Sequence, residues 1–155
     1  MASKLIFTAL LFFVSTAKAN LDEFQIQDVQ KNKIEFKTSK VLVYFWATWC
    51  PDCKQGLRQK LPSLGGPDVT MLGVNTDATE DKVIDYLKTE KITLPSLVDR
   101  DKALRKKYSV FSVPTALVFK KDKGQYILSK TLVGADLDEL RAELKNEIRK
   151  EPSHD

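Results

Sequence analysis

Apolar and polar positions recur with two distinct periods along the chain, and the changes of period divide it into elements. Two short alternating segments, FQIQD at 24–28 and KIEFK at 33–37, flank the polar stretch VQKN and predict an N-terminal β-hairpin. The run VLVYFW at 41–46 is apolar throughout and rich in β-branched and aromatic residues, the pattern of a strand buried on both faces. From Pro51 the pattern turns helical, with the proline at a first-turn position where its missing N–H is no loss, and Pro62 is expected to end or kink this helix. Gly65, Gly66 and Pro67 then make a turn into a second strand, VTMLGVN at 69–75.

Thr79, Asp81 and Lys82 open a second helix, with Val83, Ile84, Leu87 and Ile92 apolar at helical spacing. LPSLVD at 94–99 predicts a short strand and DKALRKKY at 101–108 a short helix. TALVFKK at 115–121 predicts a strand, joined through the turn KDKG to another strand at 125–134. A last amphipathic helix from about Asp136 places Leu137, Leu140, Leu144 and Ile148 on one face, and the tail KEPSHD reads as frayed. Alternating strands and helices closed by an antiparallel pair imply an α/β domain, a mixed central sheet with helices on both faces. No internal repeat, linker or low-complexity segment interrupts it.

The first residues follow a different plan. MASKLIFTALLFFVSTAKAN has Lys4 in a short polar start, an apolar run from Leu5 to Val14, and small residues Ala17 and Ala19 flanking Lys18. This is the arrangement of a secretory signal peptide over residues 1–19, with cleavage expected after Ala19, leaving residues 20–155 as one domain. An uncleaved membrane anchor is the lesser alternative, because the apolar run is about half of the roughly 20 residues a spanning helix needs. A lipoprotein is disfavoured, since no cysteine follows the run to carry the lipid.

The whole chain has 25 Lys and Arg against 21 Asp and Glu, and two of the basic residues, Lys4 and Lys18, lie in the expected leader. The remaining charges are interspersed, with no basic face interleaved with aromatics. A mildly basic solvated surface follows, and nucleic-acid binding is not supported.

Both cysteines of the chain, Cys50 and Cys53, lie in VLVYFWATWCPDCKQGL at 41–57. As a staple the pair would close almost no chain, whereas loops of about 15 residues are needed for roughly 3 kcal/mol. Structural zinc needs four ligands, and the chain adds only one histidine, His154 in the tail. A Cu(I) carrier using the two soft thiolates is the rival class, disfavoured by the strand-to-helix placement and the missing second ligand pair. That placement favours redox exchange. A thiol at a helix start is acidified by unpaired N–H groups and the macrodipole, which makes Cys50 the nucleophile. Cys53, nearly one turn on, is placed to resolve a mixed disulfide. Pro51 stiffens the first turn. Asp52 opposes the thiolate and Lys54 partly offsets it, so that the pair leans toward a reductant; alternatively Asp52 is a solvated first-turn carboxylate.

WATWCPDCK after an apolar strand, with VPTALVF about sixty residues later, resembles the thioredoxin fold. The export signal, the N-terminal hairpin and the central insert TEDKVIDYLKTEKITLPSLVDRDKALRKKY make the chain most similar to TlpA/ResA-like periplasmic thiol-disulfide oxidoreductases over residues 24–150. The resemblance implies a Pro114 in cis facing the dithiol, and a Val113 whose backbone pairs with an extended substrate peptide; the alternative is an ordinary trans proline at the start of an edge strand. It further implies a periplasmic monomer without cofactor or metal. Its partners would be protein disulfide substrates and a membrane thiol reductase as electron donor, in envelope redox homeostasis or cytochrome c biogenesis. A peptide-binding module that keeps only the fold is a further alternative.

Several positions depart from the family pattern. Tyr44 stands where thioredoxins have a buried aspartate, and Gly73 where they have the accompanying lysine. Asp77 is the nearest candidate for a proton acceptor to Cys53, with a turn aspartate as the alternative. CKQGLR carries Gly56 and Arg58 where the family frequently has Glu and Pro. Trp46 is expected in the core; Trp49 either caps the exposed sulfur and meets substrates or packs inward.

Overall fold

A computed structural model describes residues 21, 24 and 27–146. The expected leader, Ile148 and His154 lie outside the described residues. Five strands form one mixed sheet in the order β3-β2-β1-β4-β5. These are β1 (Lys40–Trp46), β2 (Val69–Asn75), β3 (Ser96–Val98), β4 (Thr115–Asp122) and β5 (Gln125–Val133). β1 runs parallel to β2 and antiparallel to β4, and β2 runs parallel to β3. Helices α1 (Pro51–Gln55), α2 (Glu80–Thr89), α3 (Ala103–Lys107) and α4 (Leu137–Lys145) connect and flank the strands. Among the described residues, no helix is long and apolar enough to cross a membrane.

The uniformly apolar β1 is central because both of its faces are covered. Leu42, Tyr44 and Trp46 point into a core shared with Cys53 and Leu57 after it, Val83 and Leu87 of α2, and Leu140 and Leu144 of α4. Val41, Val43 and Phe45 point the other way, into a core with Phe24, Leu72, Leu97, Tyr108 and Phe119. Phe24 and Tyr108 stack at 5.6 Å, and Phe119 meets both edge-on. Each such side chain, fully withdrawn from water, contributes about 1.5–3 kcal/mol.

The expected N-terminal hairpin shows, among the described residues, a single antiparallel bridge between Gln27 and Lys33 and no strand on either flank. Asp28 explains the difference. It is 4% exposed, and its carboxylate accepts from the N–H groups of Gln30 and Asn32 and from the Asn32 side chain. The turn is thereby pinned on itself, with Val29 buried in one core and Ile34 in the other. The Val29 N–H donates to the Ser96 carbonyl at 2.8 Å, on the outer side of β3, and Lys31 reaches Glu80 at the start of α2 at 3.1 Å.

The first helix does not stop at Pro62. After Gln55 it continues as a π-helical turn over Gly56–Lys60, with the Leu61 N–H bonded to the Gly56 carbonyl, and then as a 3₁₀ turn over Leu61–Leu64 that accommodates the proline. The change of register thus comes at Gly56, six residues before the proline. The β4–β5 turn contains Lys123 and Gly124, both at positive φ, as a two-residue hairpin requires.

Candidate active site

The site lies where the carboxyl end of β1 meets α1. Cys50 is the N-cap of α1, with extended backbone, and its Sγ accepts from the Cys53 N–H at 3.1 Å. Pro51 occupies the first helical position, as the sequence predicts, and Asp52 is exposed in the first turn. Cys50 and Cys53 are joined in a disulfide with Cα atoms 5.2 Å apart. Cys53 is wholly buried while Cys50 keeps 4% of its surface, so an incoming thiolate meets the Cys50 sulfur first. Among the described residues no three His, Cys, Asp or Glu side chains gather as a metal-holding group.

The approach to Cys50 is held from the next strand. Asp77, just past β2, accepts from the Thr48 N–H at 2.9 Å, from the Thr48 hydroxyl at 2.5 Å and from the Asn75 amide at 2.9 Å. Asn75, buried at the end of β2, in turn accepts from the N–H groups of Asp77 and Ala78. Both carboxylate oxygens therefore serve the loop that carries Trp49 and Cys50. Lys54 bonds Glu90 at 2.7 Å, joined there by Arg58 at 3.4 Å, so its charge is directed to the end of α2 rather than to the sulfurs.

Tyr44 lies beneath the same helix. A Cβ on Gly56 would fall 2.1 Å from the Tyr44 hydroxyl oxygen and 2.9 Å from Cζ, so the phenol uses space that only glycine leaves. Burial, aided by the nearby Asp52 charge, pushes the phenol pKa up, and Tyr44 is a neutral hydroxyl at physiological pH. Gly56→Ala is expected to destabilise the fold by about 1–3 kcal/mol. Tyr44→Phe in the same chain removes the closest atom and should restore part of that loss. Chemical denaturation of the two single variants and the double variant measures the coupling; purely additive losses would contradict the contact.

The Val113–Pro114 peptide is cis. Register places it at the dithiol end of the sheet: Thr115 pairs with Phe45 of β1 on one side and with Val133 of β5 on the other. The Pro114 carbonyl accepts from the Gly134 N–H at 2.8 Å. Trp46 is fully buried, as expected, whereas Trp49 is 69% exposed beside Cys50 and does not pack inward. The sequence reading passed over Phe111, two residues before Val113 and 93% exposed, and Val133, 71% exposed. The available signal was the aromatic residue in VFSVP, in a stretch with no period to bury it.

A match to the AhpC/TSA family spans residues 15–125, well over half of the chain. The chain belongs to that family. Among relatives of this AhpC/TSA member, Sporulation thiol-disulfide oxidoreductase A of Bacillus subtilis is 33% identical over 104 residues, covering 63% of this chain and 61% of the relative. Thiol-disulfide oxidoreductase ResA of Bacillus thuringiensis is 28% identical over 105 residues, covering 64% of this chain and 61% of the relative. The aligned part thus spans under two thirds of both curated relatives. The crystal structure of StoA from Bacillus subtilis matches with a TM-score of 0.63 at 26% identity, over 77% of this chain and 94% of that one. The fold of this AhpC/TSA member is therefore thioredoxin-like, as its sequence predicts.

Proposed function

We propose that the protein is a thiol-disulfide oxidoreductase acting on protein disulfides, working as a reductant in the periplasm after loss of its leader. The observation that carries this reading is the Cys50–Cys53 bond at a strand-to-helix junction, with Cys50 alone reaching the surface and the Cys53 N–H of the helix start directed at its sulfur. The thiol-disulfide oxidoreductase names of the relatives support the activity.

In the reduced protein, the Cys50 thiolate attacks one sulfur of a client disulfide; that S–S bond breaks, a mixed disulfide forms, and one client thiolate leaves. The Cys53 thiolate then attacks the Cys50 sulfur, closing the Cys50–Cys53 bond and releasing the second client thiolate. Two electrons pass to the client, and a dithiol donor, in this reading a membrane thiol reductase, must return them. Asp77 holds the loop before Cys50 through Thr48 in this scheme, and the backbone of Val113 pairs with the extended client.

The experiment is capture of clients on a Cys53→Ser variant expressed in the native cell envelope. Without a resolving thiol, mixed disulfides on Cys50 should accumulate and run as adducts that collapse on reduction. If none forms where an authentic dithiol reductase traps its clients, the reading fails.

A further inference from the structure

Four large apolar side chains are prominently exposed among the described residues: Trp49, Phe111, Val133 and, less so, Ile127. The first three belong to one end of the sheet. Trp49 precedes Cys50, Phe111 lies in the loop that delivers Val113 and Pro114, and Val133 is register-paired with Thr115 directly after that proline. Single exposed apolar residues are ordinary, and Val133, in register with Thr115 and Phe45, lies on the face of the sheet away from the dithiol; Trp49 and Phe111, on the two loops that carry Cys50 and Pro114, leave apolar area in water where a partner could cover it.

Resting on the function proposed above, we propose that Phe111 is a specificity-determining residue that receives a large apolar side chain flanking the half-cystine of an extended polypeptide client. The occupant follows from continuity with the exchange site. A client whose sulfur is bonded to Cys50 and whose backbone lies along Val113 must carry its neighbouring side chains past Trp49 on one side and the Phe111 loop on the other. Side chains alternate along an extended chain, so a residue close to the half-cystine faces these two rings while the next faces solvent. Phe111 itself gains little from the fold: it belongs to neither buried core, whereas its neighbour Val110 is 5% exposed and fills one of them. An aromatic ring held on a loop that both cores anchor through Val113 is a ready contact, with few torsions to freeze on binding.

The test compares two disulfide probes on the reduced full-length protein. One is a peptide disulfide with leucine next to its half-cystine; the other is oxidised glutathione, too small to extend along the loop. Phe111→Ser is expected to lower kcat/KM for the leucine peptide about tenfold, roughly what burial of such contact area supplies, and to leave oxidised glutathione unchanged. Phe111→Leu should restore most of the loss. An equal fall for both probes, or no fall for the peptide, overturns the role of Phe111 while leaving the exchange activity standing. A wild-type protein that reduces neither probe overturns the functional reading itself, and this inference with it.

Discussion

Cys50→Ser is expected to reduce disulfide exchange by roughly a thousandfold or more, to the uncatalysed background, while Cys53→Ser retains the first half of the reaction. The difference follows from the two environments. Cys50 is the N-cap whose sulfur is reached from solvent, and a serine hydroxyl there could still cap the helix but is a far weaker nucleophile. Cys53 is enclosed by the core below β1 and can act only after Cys50 has been engaged. Both substitutions should leave the fold intact, because the bond closes a loop of only three residues of separation and restrains the unfolded chain little. The measurement is single-turnover reduction of a protein disulfide. Substantial multiple turnover in Cys50→Ser would mean that the nucleophile lies elsewhere.

Glu143→Ala is expected to cost about 3 kcal/mol at neutral pH. Lys120 lies in β4 with its side chain 6% exposed, and its ammonium meets Glu143 of α4 at 2.5 Å, where the Ser129 hydroxyl also donates. Removing the carboxylate leaves a buried ammonium with neither counter-charge nor acceptor. The pH dependence has a definite sign. Partial burial pushes the Glu143 pKa up, but the bonds from Lys120 and Ser129 and the charges of Lys120 and Lys130 outweigh it, so the folded pKa lies below the ordinary value. Such a group stabilises the fold above the usual carboxylate range, and its contribution is lost as pH falls through that range and the folded pKa. The stability gap between wild type and Glu143→Ala should therefore be widest near pH 7 and close toward about pH 3. Urea unfolding at the two pH values measures it; a gap independent of pH would mean that the variant loses packing rather than an ion pair.

The sequence made the reactive pair legible because its chemistry is local. An apolar strand, two thiols nearly a turn apart and a proline at the first helical position specify the junction within a dozen residues, and α2, β2 and α4 emerged close to their expected bounds for similar reasons. What could not be read depends on contacts between distant segments. Lys120 reads as the polar end of a strand, and only Glu143, packed across from another element, explains its burial. Gly56 reads as a gap in a helix until the Tyr44 hydroxyl is seen to occupy it. The hairpin expectation differs from the structure at Asp28, whose side chain ties the turn to itself, with a single bridge between Gln27 and Lys33 beside it. Asp77 was recognised as a carboxylate near the site, but its bonds to Thr48 belong to a loop geometry that alternation and spacing do not encode.

The small turn at residues 28–32 bears on how such a protein could work among unfolded chains without being captured by them. An enzyme that handles extended polypeptide is exposed to indiscriminate strand addition at both margins of its own sheet. At the β3 margin the Ser96 carbonyl is already taken by the Val29 N–H, and the turn that supplies it is tethered to α2 through Lys31 and Glu80. At the β5 margin the Lys130 ammonium is turned toward α4, where it lies 3.9 Å from the Glu139 carboxylate. The β3 margin is thus guarded by a self-supplied backbone donor. Under the function proposed above, a client strand would then dock beside the dithiol, where pairing leads to exchange rather than to aggregation.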